Sequence, residues 1–136
     1  MVIVPWDYTD RAVHYDKRAD YSESCLAALF QKVAPDTSHP LADLGAGTGK
    51  LTLQLLHHGY TVSAIEPNDN MRAIGIDNTQ GLDVTWRDGT GENTGLSDCT
   101  YQAAFFGSSF NVMDHTAALS EVSRILVPGV PQIRWP

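Results

Sequence analysis

The five residues Gly-Ala-Gly-Thr-Gly at positions 45–49 constrain this fold more than any other feature. They follow a short apolar run broken by one acid, Leu41 to Leu44. They precede an amphipathic stretch with Leu51, Leu55 and Leu56 on one face and Thr48 near its start. A backbone that turns this sharply between a strand and a helix needs residues without a Cβ, both to reach positive φ and to let a ligand approach the main chain. Taken alone the triplet is a weak signal, because a plain tight turn has the same composition. His57, His58 and Gly59 close the helix, the histidines near the negative end of its dipole and the glycine as its C-cap.

Strand and helix patterns alternate from Leu41 onward. Thr61 to Ile65 reads as the next strand, Asp69 to Ile76 as a short helix, Leu82 to Trp86 as a third strand and Tyr101 to Phe106 as a fourth. A last helix is predicted from His115 to Leu126, with Ala118, Leu119, Val122, Ile125 and Leu126 facing inward and Pro128-Gly129 stopping it. Upstream, a helix is predicted to begin near Asp20, where Asp20 with Glu23 resembles a capping box. Cys25, Leu26, Leu29, Phe30 and Val33 give it one apolar stripe, and Pro35 and Pro40 bracket the loop that ends it. Residues 1–19 read as an irregular leading arm rich in Trp, Tyr and Asp, and residues 20–136 as the core of a single domain. The strands are too uniformly apolar to have a wet face. The expected fold class is therefore α/β, a mostly parallel sheet with helices on both faces. Ligands in such sheets sit beyond the C-terminal ends of the strands.

Composition excludes several classes. A hydrophobic share of 43% with 18% charged residues supports a folded core. Nine basic residues scattered among sixteen acidic ones give a net charge of -7, so no nucleic-acid partner is expected. No apolar run approaches the ~18 residues of a bilayer span, and MVIVPWDYTDR has no cationic region ahead of an apolar one. Cys25 and Cys99 lie far apart without CxxC or Cys/His ligand spacing, which reads as two reduced thiols. A cytoplasmic protein without a membrane partner is the expectation.

Glu66 falls at the end of the second strand, about where nucleotide-binding sheets place a carboxylate for ribose hydroxyls. The dinucleotide fingerprint GxGxxG brings a pyrophosphate onto a helix N-terminus. Here the spacing is GxGxG, and Asp43 just ahead of it repels a phosphate. S-adenosyl-L-methionine carries an ammonium, a carboxylate and a sulfonium but no phosphate, so a nearby acid is tolerable or helpful.

At these residues a family resemblance emerges. LADLGAGTGKLT (41–52) resembles motif I of class I, Rossmann-like S-adenosylmethionine-dependent methyltransferases, and AIEPNDNM (64–71) their acidic second motif. RDGTGENTGLSD (87–98) is similar to the segment after strand three, FFGSSFNVMD (105–114) to that after strand four, and SEVSRILVPG (120–129) to the helix and turn before strand five. RAVHYDKRADYS (11–22) is similar to the leading arm of one subgroup. The resemblance implies S-adenosyl-L-methionine as cofactor. It implies contacts from Tyr15, Arg18, Asp43, Gly45, Ala46, Gly47, Gly49, Glu66, Pro67, Met71, Asp88, Gly89, Thr90 and Ser108, with Asp88 at the adenine amino group. Trp6, Tyr8, Tyr15 and Tyr21 form a lid or simply pack the arm on the sheet, and Arg18 meets the cofactor carboxylate or an ion-pair partner in Asp16 or Asp20. Three departures stand out. Gln102 replaces an acid near the start of strand four, Val130 replaces a glycine after Pro128, and the chain stops where strand five should begin. The expected sheet is thus C-terminally incomplete. The stop is consistent with a truncated product, a shortened chain or a homodimer that completes the sheet edge.

Methyl transfer from a sulfonium is an in-line displacement that positioning can largely drive, so a general base is optional. Asp114, His115, Tyr15 and His14 are the catalytic candidates. Asp114 reads equally as the N-cap of the last helix, and His115 as a solvent-side histidine. His57, His58 and His39 lack metal-ligand spacing, and no metal is expected. Three functions follow: a methyltransferase with a small-molecule acceptor, a catalytically incomplete cofactor-binding module or truncated subunit needing a partner chain, and a nucleotide-dependent oxidoreductase. The third is disfavoured by the glycine spacing and by Asp88, which it does not require.

Overall fold

The computed structural model describes residues 23–33, 38–107, 109 and 112–129. Four strands form one parallel sheet in the order β3-β2-β1-β4: β1 (Leu41–Leu44), β2 (Val62–Ile65), β3 (Val84–Arg87) and β4 (Ala103–Phe105). The helices are α1 (Glu23–Val33), α2 (Lys50–His57), α3 (Asp69–Asn78) and α4 (His115–Ile125). The period-two alternation of the strands separates two cores. Leu41, Val62, Ala103 and Phe105 meet Leu26 of α1 and Leu51 and Leu55 of α2 on one face. Ala42, Leu44, Ile65, Ala104 and Phe106 meet Ala118, Val122 and Ile125 of α4 on the other. Helices therefore cover both faces, as expected of a parallel sheet.

Several boundaries differ from the sequence reading. The third strand begins two residues later than expected, because Gly81 (φ +78°) and the Leu82 N–H donating to the Thr79 carbonyl keep Leu82 in a turn, where it is 40% exposed. As an edge strand β3 also has a wet side: Thr85 and Arg87 are exposed while Val84 and Trp86 are half-buried. The fourth strand is shorter than expected. Tyr101 forms an isolated parallel bridge with Leu126, and the Gln102 side-chain amide donates to the His39 carbonyl. That bridge also ends α4 at Ile125, before Pro128-Gly129, since Leu126 is already extended (φ -74°, ψ 144°). α3 runs on to Asn78, two residues beyond Ile76. In α1 Leu26 is buried and Phe30 half-buried, but Cys25 is exposed and off the apolar stripe. Asp20 and the leading arm, and the side chains of Leu29 and Val33, lie outside the described residues.

Trp86 ties the edge strand to its neighbours. Its indole N–H donates to Thr79 Oγ1 (3.0 Å), and its ring lies where a Cβ on Gly75 would come within 2.2 Å and one on Gly49 within 3.1 Å. Asn78, at the end of α3, donates to the Thr48 carbonyl (3.1 Å). The glycine-rich turn is thus backed by α3 and β3 as well as by its own helix.

Candidate functional site

The turn after β1 is shaped by positive φ at Gly45 (+71°), Gly47 (+61°) and Gly49 (+88°). The N–H groups of Gly45 (2.8 Å) and Ala46 (2.9 Å) both donate to the last carbonyl of β2, that of Ile65. At Gly45 a Cβ would lie 2.4 Å from that of Ser109, whose hydroxyl donates to the Leu44 carbonyl (2.7 Å). The segment after β4 therefore rests directly on the bare Cα of the turn.

Glu66 sits one residue past β2 and is 6% exposed. One carboxylate oxygen accepts from the Gly47 N–H (2.8 Å) and the other from the Asn68 N–H (2.7 Å). Asn68 also caps α3, its side chain accepting from the Met71 N–H (3.0 Å). Burial raises the Glu66 carboxyl above its ordinary range, and the two backbone donors and Arg72 oppose that rise. Arg72 donates to the Glu66 carbonyl (2.8 Å) and to Asp69 (2.5 Å), and lies 3.8 Å from Asp88.

Asp43, 1% exposed, accepts a 2.6 Å bond from Thr52 Oγ1, which links β1 to the first turns of α2 across the glycine turn. Burial pushes the Asp43 carboxyl up to about 7, the Thr52 bond opposes the rise and the Glu66 charge adds to it. Two buried acids, one of which raises the other, favour a cationic ligand beside them and disfavour a phosphate.

Beyond β3 the Asp88 side chain is 73% exposed. At Gly89 a Cβ would be crowded, approaching Ile65 to 3.0 Å and the Asn93 carbonyl to 3.1 Å. Thr90 and Asn93 exchange backbone hydrogen bonds of 3.1 and 3.2 Å, and Thr90 Oγ1 accepts from the Asn93 N–H (3.1 Å). Beyond β4 Met113 fills the space above Gly91, where a Cβ would lie 2.3 Å from its sulfur.

A family model described as a methyltransferase domain matches residues 41–129. The chain belongs to this methyltransferase family. An uncharacterized methyltransferase of Mycobacterium tuberculosis is 34% identical over 98 residues, covering 70% of this chain and 38% of its own length. Among solved structures, phosphoethanolamine N-methyltransferase 2 of Haemonchus contortus, in complex with S-adenosyl-L-methionine, superposes with a TM-score of 0.75 at 16% identity. It covers 93% of this chain and 34% of its own. Geranyl diphosphate C-methyltransferase of Streptomyces coelicolor A3(2), in complex with Mg2+, geranyl diphosphate and S-adenosyl-L-homocysteine, gives 0.71 at 20% identity, covering 82% and 45%. These two show that the fold is shared, and the family resemblance read from the motifs holds. The chain spans about two fifths of the length of the curated relative it matches.

In the methyltransferase domain the strand ends bring together Asp43, Gly45, Ala46, Gly47 and Gly49 with Glu66. Asp88, Gly89 and Thr90 follow the adjacent strand β3. Pro67 is exposed beside Glu66, and Met71 is 2% exposed within α3. Asp114 is the N-cap of α4, its carboxylate accepting from the Ala117 N–H (3.1 Å), and His115 is exposed in the first turn. His14, Tyr15, Arg18 and Ser108 lie outside the described residues. Thr52, Asn68, Arg72 and Ser109 were not anticipated from sequence. Asn68 alone had a local signal, a capping residue just ahead of a helix. Cys25 and Cys99 are exposed and free of disulfides. Among the described residues no helix is long and apolar enough to cross a membrane.

Proposed function

We propose that this methyltransferase domain binds S-adenosyl-L-methionine across the ends of β1, β2 and β3 and serves methyl transfer to a small-molecule acceptor. The Glu66 carboxylate carries this reading. Gly47 and Asn68 each take one lone pair, which fixes the group and leaves a free lone pair on each oxygen for the two hydroxyls of a ribose. Asp43 and Glu66 suit an ammonium group in the same pocket. The bare turn of Gly45, Ala46, Gly47 and Gly49 admits the methionine portion to the backbone. Asp88 accepts from the adenine amino group, and Gly89 and Thr90 frame the ring beside Pro67 and Met71. The family resemblance adds Tyr15, Arg18 and Ser108 as further ligand contacts.

When bound, the sulfonium supplies a methyl carbon open to attack by an acceptor lone pair. The chain's own contribution is orientation: Glu66 and the glycine turn hold the ribose and methionine ends at a fixed separation. Asp114, which caps α4 through one carboxylate oxygen, His115 and Tyr15 are the candidates to receive an acceptor proton. A small-molecule acceptor is our reading by analogy alone, since two enzymes that share the fold are named for phosphoethanolamine and geranyl diphosphate. A second reading is a binding module that needs a further segment or partner chain for turnover.

Calorimetric titration of the 136-residue chain with S-adenosylmethionine, S-adenosylhomocysteine and NAD tests the site. Binding of the first two but not NAD is expected, weakened about ten- to a hundredfold in Glu66→Ala, the range for a charged hydrogen-bond acceptor. A folded chain that binds neither, or that binds equally well without Glu66, sinks the reading. Methyl turnover with an acceptor panel then separates the enzyme from the binding module.

A further inference from the structure

Residues 88–102 connect β3 to β4 without a helix or strand of their own, yet they open with the Asp88-Gly89-Thr90 portion of the site. Such a segment needs an external anchor, because holding each residue in one conformation costs backbone entropy. α4 provides one. Glu121 Oε2 accepts from both the backbone N–H (2.7 Å) and the hydroxyl (2.8 Å) of Thr94, which is 1% exposed. Thr94 Oγ1 in turn accepts from the Leu96 N–H (3.0 Å). Arg124, one turn along α4, braces Glu121 with two bonds (2.7 and 2.9 Å) and reaches Asp98 with its remaining nitrogen. The Glu121–Arg124 pair thus pins Thr94 and Asp98 together.

The anchor is transmitted to the site through backbone. Asn93 precedes Thr94 and closes the reciprocal turn with Thr90. The Asn93 and Thr94 carbonyls lie 3.1 and 3.3 Å from where a Gly89 Cβ would be, so these carbonyls set how far Gly89 reaches toward the end of β2. We propose that Glu121, through Thr94, is the positioning residue for the Gly89–Thr90 turn and so governs recognition of the adenine ring. The inference rests on the cofactor site proposed above. The hydrogen bonds of Glu121 go to Thr94 and Arg124, neither of them a residue assigned to the ligand. Its carboxyl is held down to about 2, first by the hydrogen bond from Arg124, so it stays an acceptor across the working range.

The decisive quantity is discrimination between S-adenosylhomocysteine and S-inosylhomocysteine, which differ only at the purine edge, where the 6-amino donor becomes a carbonyl acceptor and N1 gains a proton. A merely structural anchor lowers the melting temperature but leaves this ratio unchanged while the chain is folded. A positioning anchor sets the ratio. Thr94→Val and Glu121→Gln are expected to weaken S-adenosylhomocysteine about tenfold, as for loss of one charge-assisted bond, and the inosine analogue less, so the ratio falls. Thr94→Ser, which keeps the hydroxyl, is expected to restore it. An unchanged ratio in Thr94→Val and Glu121→Gln, measured well below their melting temperatures, overturns the inference. If the wild-type chain binds neither compound, the cofactor site itself fails and takes the inference with it.

Discussion

The two halves of the site are held differently. The glycine turn after β1 places two N–H groups on the Ile65 carbonyl and one on the Glu66 carboxylate, on a backbone with little side chain of its own. The connection after β3 has main-chain bonds too, between Thr90 and Asn93 and from Cys99, Thr100 and Tyr101 to the end of α4, but it adds a side-chain cluster of Glu121, Thr94, Arg124 and Asp98. A main-chain device tolerates few residue types, because any side chain disturbs it. A side-chain device tolerates many, provided the partners remain.

The sharpest way to break the first half is Gly45→Ala. It combines left-handed strain with a Cβ 2.4 Å from Ser109, for about 3–4 kcal/mol in urea unfolding and loss of cofactor binding. Asp43 comes next. Its carboxyl titrates near 3.8 when unfolded and about 7 when folded, so the folded state disfavours the charged form and stability falls as pH rises from about 4 to 7. Asp43→Asn is expected to flatten that slope, by on the order of 2 kcal/mol over the window, in denaturant titrations at several pH values. Retention of the full slope in the variant excludes Asp43 as its source.

Glu121 has the opposite sign. Its folded carboxyl lies at about 2 and its ordinary value is 4.5, so its contribution is complete above about 4.5 and is lost as pH falls toward 2. Glu121→Ala leaves the buried Thr94 donors without their acceptor and is expected to cost about 1–2 kcal/mol. A smaller acid-side slope should accompany that loss, and an unaltered one counts against the clamp. The smallest effect sharpens the comparison. Gly59 has a φ of +93° but nothing within 4 Å of its Cβ position, so Gly59→Ala should cost about 1 kcal/mol, backbone strain alone. If Gly59→Ala and Gly45→Ala prove equally costly, crowding by Ser109 is not what distinguishes the turn.

This division explains what the sequence could reveal. β1, the glycine turn and the position of Glu66 were legible because strand, turn and helix signals fall within a few consecutive residues. The shift of β3 was not, since Leu82 looks like a strand residue and only the turn at Gly81 removes it from the sheet. The two-faced burial expected of every strand failed at β3 because edge position is a property of the topology. Thr52 beneath Asp43, Ser109 on Gly45 and Glu121 on Thr94 are separated by 9, 64 and 27 positions, and nothing local marks such pairs. Asp114 was read both as a catalytic candidate and as a helix cap, and the cap is what the structure shows.

The tryptophan on the edge strand has an optical consequence. Its indole rests on the bare Cα atoms of Gly75 and Gly49 and donates to Thr79, so its emission depends on that hydrogen bond and on two glycines, one of them in the glycine-rich turn after β1. With Trp6 and Trp135 replaced by phenylalanine, the chain becomes its own fluorescent gauge, in which a displacement of the turn registers as a change in colour or intensity.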